Sequence, residues 1–158
     1  MTSRTQILLC VSLILVVLGW WSAESTSSKA ASPENVQEAP APVETDMHEF
    51  MEYVFQPTFM RLQPAMQNAP ADNQGWKIIK SESLVLAEGG NLLLIRPSEE
   101  DTAEWVEHST QVRKFGGELY RAGHDKDFSK ARKSYESMIE NCNACHQQYA
   151  HGEHILKP

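Results

Sequence analysis

The sequence predicts an all-α protein, an antiparallel four-helix bundle. Three observations carry this. Four segments space their apolar residues three and four apart, the period of a helix with one buried face. No segment shows the sustained Val, Ile and Thr alternation of a half-buried strand. Between the segments lie short clusters of Pro, Gly, Asn and Asp, and short links favour antiparallel neighbours.

The first helix is expected from near Asp46, with Met47, Phe50, Met51, Val54, Thr58, Leu62, Ala65 and Met66 as its apolar stripe. Pro57 and Pro64 each remove a backbone donor, so this helix is expected to kink or break after its second turn. Residues 69–73 read as a loop. The second helix covers residues 74–95, with Trp76, Ile79, Leu86, Ala87, Gly90, Leu93 and Leu94 on one side. Pro97 ends it, and Ser98 is expected to cap the third helix. Glu99, Glu100 and Asp101 suit the positive end of that helix's dipole. The third helix reaches about Arg121 and turns Trp105, Val112, Gly116 and Leu119 inward; residues 123–127 form the next turn. The fourth helix starts at Phe128 and ends near Gly152. Its stripe is Phe128, Ala131, Tyr135, Met138, Ile139, Cys142, His146 and Tyr149.

Ahead of the bundle, residues 7–21 form an apolar run broken only by Ser12 and Gly19, with Arg4 before it. This is the layout of a signal peptide. The run is short against the roughly 20 residues a spanning helix needs, although Trp20 and Trp21 suit a membrane interface. Residues 1–23 are therefore expected to be a signal peptide or an N-terminal membrane anchor. Cys10 reads as a plain apolar member of the run. Residues 24–44 are rich in Ser, Ala, Pro and Glu, too poor in apolar surface to offset their ordering entropy. They are expected to be a disordered linker, and residues 45–158 the bundle domain. A net charge of -7 argues against a nucleic-acid surface.

The chemistry-bearing motif is Cys142-Asn143-Ala144-Cys145-His146, a C-x-x-C-H. Two thiols at this spacing can add to the two vinyl groups of one haem, and the adjoining imidazole can ligate the iron. Rival readings are a zinc site from Cys142, Cys145, His151 and His154, a redox-active C-x-x-C pair, which normally accompanies a βαβ pattern, and a chance pattern on an ordinary helix. The motif shares its stripe with the core of the fourth helix, so a haem held there would enter the bundle interior. No general base, nucleophile or substrate pocket is evident, and the chain is not read as an enzyme.

A bundle with C-x-x-C-H on its last helix resembles the cytochrome c-prime and related class II c-type cytochromes. The likeness rests on Cys142-Asn143-Ala144-Cys145-His146-Gln147-Gln148-Tyr149, including the aromatic three places after the histidine. About a hundred residues precede the motif, whereas the small class I cytochromes place it near the start of their domain. Two features depart from the pattern: Ala150 stands where gas-binding members often carry a basic residue, and the first helix contains prolines.

The resemblance implies one covalent haem c with its iron. It implies a periplasmic location, with a possible membrane tether through residues 1–23, and single-electron transfer to redox partner proteins; a homodimer is left open. In an up-down bundle the end of the fourth helix lies beside the start of the first. Met47, His48 and Met51 are then the candidates for the second axial ligand. Met51 is preferred as the inward residue one turn in, against the plainer role of core filler. An open site lined by Val54 or Phe55 would instead bind NO or CO, as a sensor or scavenger. Gly89 and Gly90 can make room for a macrocycle or simply weaken their helix. Arg96 reads as a solvated surface residue more readily than as a propionate partner. Trp105 reads as core. His108, His124, His151 and His154 are expected to be exposed and carry no assigned role.

Overall fold

The structure is a computed structural model that describes residues 39–96, 98 and 101–158. The chain divides into Met1–Glu38 and Ala39–Pro158. The expectations for a signal or anchor, for most of the linker, and for Pro97, Glu99 and Glu100 lie outside the described residues. Among the described residues every regular element is helical, four helices form a bundle, and none is long and apolar enough to cross a membrane.

Helix α1 has three consecutive stretches: an α-helical Met47–Phe50, a π-helical Met51–Phe55 and an α-helical Gln56–Ala65. Asp46 caps it, its carboxylate accepting from Glu49 N at 3.1 Å. The expected break does not occur. Pro57 would press its ring on the carbonyl four residues earlier in a regular helix. The helix widens just before it instead, and Gln56 N–H donates to the Met51 carbonyl, five residues back. Pro64 falls in the last turn. The expected stripe is buried at Phe50, Thr58, Leu62 and Met66.

Helix α2 spans Asn73–Leu94, with Asp72 as its cap accepting from Gly75 N at 2.9 Å. Its buried residues include the expected Trp76, Ile79, Leu86, Ala87 and Leu93, but also Glu82 and Ser83, which no apolar count would find. Glu82 is held from α1 by Arg61, whose Nη2 lies 2.7 Å from its carboxylate. Helix α3 spans Thr102–Asp125; its N-cap residue is Asp101, in a left-handed conformation, and not the expected Ser98. Helix α3 also runs four residues past Arg121, because Lys126 adopts the left-handed conformation that ends it. Helix α4 spans Phe128–Tyr149, capped by Asp127, and ends three residues before Gly152.

Helices α2 and α3 approach closely at two glycines. A Cβ on Gly90 would sit 2.6 Å from the Arg113 backbone nitrogen, and one on Gly116 would sit 2.8 Å from that of Ala87. The space at Gly89 is filled by the Phe55 ring, 2.7 Å from where a Cβ would be. At both Gly89 and Gly90 the space left by the missing Cβ goes to a neighbouring helix. The pairs α1–α2, α2–α3 and α3–α4 bring Cα atoms within 8 Å of each other, whereas no Cα of α1 comes that close to α4. Helices in direct contact normally lie 8–10 Å apart along their axes, so the α1–α4 seam is the wide one. Side chains bridge it at one end, where Arg132 Nη1 donates to the Met66 carbonyl at 2.6 Å.

Candidate functional site

The wide seam leads to the motif. Cys142, Cys145 and His146 occupy the last turns of α4, on the stripe that buries Tyr135, Met138 and Ile139 farther down. All three are half-buried. Cys142 packs against the main core, and Cys145 packs against a smaller cluster of Phe50, Leu93 and Trp105. Met47 and Met51, from the start of α1, pack against that same small cluster, as do Val54, Phe55 and Tyr149. The structure therefore gathers Met51 and Cys145 around one apolar group.

Both cysteines are free thiols. Burial pushes Cys142 up to about 12, helped by the neighbouring Cys145, and burial alone pushes Cys145 up to about 11. A redox-active pair needs the opposite, a thiolate favoured by a helix N-terminus or a nearby cation. These thiols lie at the C-terminal end of a helix, where the dipole opposes a thiolate. The C-x-x-C redox reading has no support in this arrangement.

The His146 ring is fixed by one contact. Its Nδ1 lies 2.9 Å from the His154 carbonyl oxygen. A carbonyl only accepts, so Nδ1 carries the proton and Nε2 keeps its lone pair. Burial holds His146 below its ordinary pKa, outweighing the His154 hydrogen bond that raises it, and so favours the neutral, ligating form. Among the described residues no group of three or more His, Cys, Asp or Glu side chains is gathered to hold a metal ion, so the four-ligand zinc arrangement is not formed. The His154 ring instead faces His48, with centroids 6.3 Å apart.

His48 projects outward, its side chain 72% exposed and 3.6 Å from Glu52. It stands off the Met47–Met51 stripe as expected. Arg96 corrects its expectation: it is buried, with its guanidinium 3.9 Å over the Phe50 ring. It donates to the Leu92 carbonyl at 2.7 Å and the Glu44 carbonyl at 3.2 Å, and so ties the end of the linker to the bundle. Trp105 is core, donating to the Leu93 carbonyl at 3.1 Å and meeting the Tyr149 ring edge-on. Next to these residues opens a cleft of about 410 Å³, lined by Met47, Arg96, Trp105 and Tyr149 among others.

His108 is half-buried, with Nδ1 3.0 Å from Asn141 Oδ1, while Asn141 Nδ2 donates to the His108 carbonyl at 3.0 Å. It joins α3 to α4 below the motif. The sequence offers no spacing signal for this pair, because a polar contact between helices depends on their rotation. No family model matches the chain, and no curated protein or solved structure is found similar to it.

Proposed function

We propose that this protein is a periplasmic c-type cytochrome that carries single electrons through one covalent haem. The observation that carries the reading is the wide α1–α4 seam, with Cys142, Cys145 and His146 on one side and Met51 on the other. The donor set fits the group. Two free, protonated thiols stand one helical turn apart, and the adjacent imidazole leaves Nε2 free for iron. Met51 would supply a neutral thioether as second ligand, a pairing that raises the reduction potential. A haem held there would supply the ferrous–ferric couple, while the chain's own residues set its ligands, burial and access to water.

The antiparallel course of the bundle is part of this reading. Lys126 meets Asn73, Arg113 meets Gly90 and Trp105 meets Leu93, so numbers fall along α3 as they rise along α2. Export by residues 1–23, cleaved or retained as an anchor, would bring the thiols to the compartment where c-type haem is attached.

The experiment is to express the full chain with c-type maturation factors and extract it with acid and organic solvent. Haem that stays with the protein, at one per chain, supports the reading; complete loss of haem rejects it. Met51→Ala should then move the ferric spectrum from low toward high spin and let CO bind the ferrous form. A wild-type protein that is already high-spin and binds CO would make Met51 a packing residue and favour gas binding.

A further inference from the structure

The chain does not leave the bundle after α4. His151 and Gly152, with φ of 52° and 78°, turn it back in left-handed conformations. A Cβ on Gly152 would also meet the Gln147 side-chain amide at 3.0 Å. Gly152 N–H donates to the His146 carbonyl at 3.1 Å and Glu153 N–H to the Ala150 carbonyl at 2.8 Å. The returning segment is latched to both sides of the wide seam. On α4, Asn143 Oδ1 accepts from Leu156 N at 2.7 Å, and its Nδ2 donates to the Leu156 carbonyl at 3.0 Å. On α1, Gln63 Nε2 donates to the Lys157 carbonyl at 2.9 Å. The Leu156 side chain packs against the main core. Between turn and latch, the His154 carbonyl meets His146 Nδ1.

We propose that residues 151–157 are a strap that sets the proton and the ring orientation of His146, with Asn143 as its positioning residue. The inference rests on the reading of His146 as an iron ligand. A carbonyl accepting from Nδ1–H holds the ring in one tautomer and makes the other nitrogen a stronger donor. A stronger donor stabilises ferric iron over ferrous. The strap therefore lowers the potential as well as aiming the ligand. The contact uses the backbone of residue 154, so its side chain is dispensable for this purpose. A bidentate amide inside the x-x of the attachment motif couples haem attachment and ligand tuning within one helical turn.

The test uses the full, haem-loaded chain and four variants. Asn143→Ala removes the α4 latch. A chain ending after Ala150 removes the strap. Gln63→Ala loosens it from α1 without touching the motif. His154→Ala keeps the carbonyl. The ratio of ferric to ferrous protein at a fixed applied potential is read by absorbance, and exchange of the His146 Nδ1 proton by NMR. Loss of the strap should shift the ratio toward ferrous by up to about tenfold, the lower range for an outer-shell partner, or about 59 mV for one electron. Asn143→Ala should shift it the same way, Gln63→Ala by less, and each should speed proton exchange. His154→Ala should leave both unchanged. Haem-loaded variants with an unmoved ratio would overturn the strap alone, as would a His154→Ala effect equal to that of Asn143→Ala. A wild-type chain that takes up no covalent haem would overturn the cytochrome reading, and the strap's role with it.

Discussion

Away from the motif, Leu62, Met66, Ile79, Leu119, Ala131 and Tyr135 expose 0% of their surface. In the apolar cluster at the motif end Phe50, Leu93 and Trp105 are buried to a few per cent, and Met47, Met51, Val54, Cys145 and Tyr149 surround them half-exposed. The same helices build both ends. One is a saturated hydrophobic core; the other has half-exposed apolar side chains beside a wide seam that the C-terminal segment crosses. A fold stabilised by one end can leave the other loosely packed, at the cost of exposed apolar area. A flat apolar group bound in the seam would recover that area.

Mutations can test this division. The largest effect is expected at the closed end, where Leu62→Ala should cost the haem-free protein about 3 kcal/mol, the middle of the range for a fully buried leucine. Met51→Ala should cost it about 1 kcal/mol or less, since a half-buried methionine has less to lose. Denaturant unfolding of both variants checks the contrast, and equal losses would erase it. Gly90→Ala should cost about 2 kcal/mol, because the new methyl meets α3 backbone that cannot yield as a side chain would. A normal midpoint for this variant would mean that the helices can slide apart at no cost.

Tyr135→Phe should raise stability by about 1 kcal/mol. The Tyr135 hydroxyl is buried without a hydrogen-bond partner among the described residues, and burial pushes it up to about 12. A loss instead would show that the hydroxyl is bonded in solution and that the closed end holds a polar contact.

The smallest effect concerns the α4 cap. The Lys130 backbone N–H, and then the Lys130 ammonium, hold Asp127 below the usual carboxylate range. A carboxylate depressed in the folded state adds stability above its unfolded pKa and loses it as pH falls through its folded one. Asp127→Asn keeps a capping oxygen. It should change little at neutral pH and flatten the acid side of the stability profile, as read by thermal melts from pH 7 to pH 3. An unchanged profile would mean that another carboxylate governs the acid limb.

How much of this was legible in the sequence follows from range. Helix extents and buried stripes were readable because periodicity is local; the caps were not, since the one named, Ser98, gives way to Asp101, and Asp46, Asp72 and Asp127 were read only as starts or turns. The C-x-x-C-H pattern was readable because it is a spacing along the chain. Glu82, Arg96 and His108 were not, because each is fixed by a partner on another helix or in the linker. The glycines were visible but ambiguous, since only the neighbouring backbone says what the missing Cβ makes room for. The tie on His146 left no trace at all: it is made by a backbone carbonyl, which every residue carries.

The π-helical stretch at Met51–Phe55 had a signal that is plain once seen. Phe50, Val54, Thr58, Leu62 and Met66 follow four apart, and a regular helix drifts about 40° at each such step. A wider turn takes back part of that drift and keeps Phe50 on the face that buries Leu62. The stretch therefore works as a gear with one extra tooth. Removing a single residue from 51–55 would let the turn close into a regular helix, with Phe50 and Thr58 seven places apart and only about 20° off a common line. Phe50 and Met47 would keep their face, so the extra residue changes what the wide turn itself presents and leaves the stripe on either side in line.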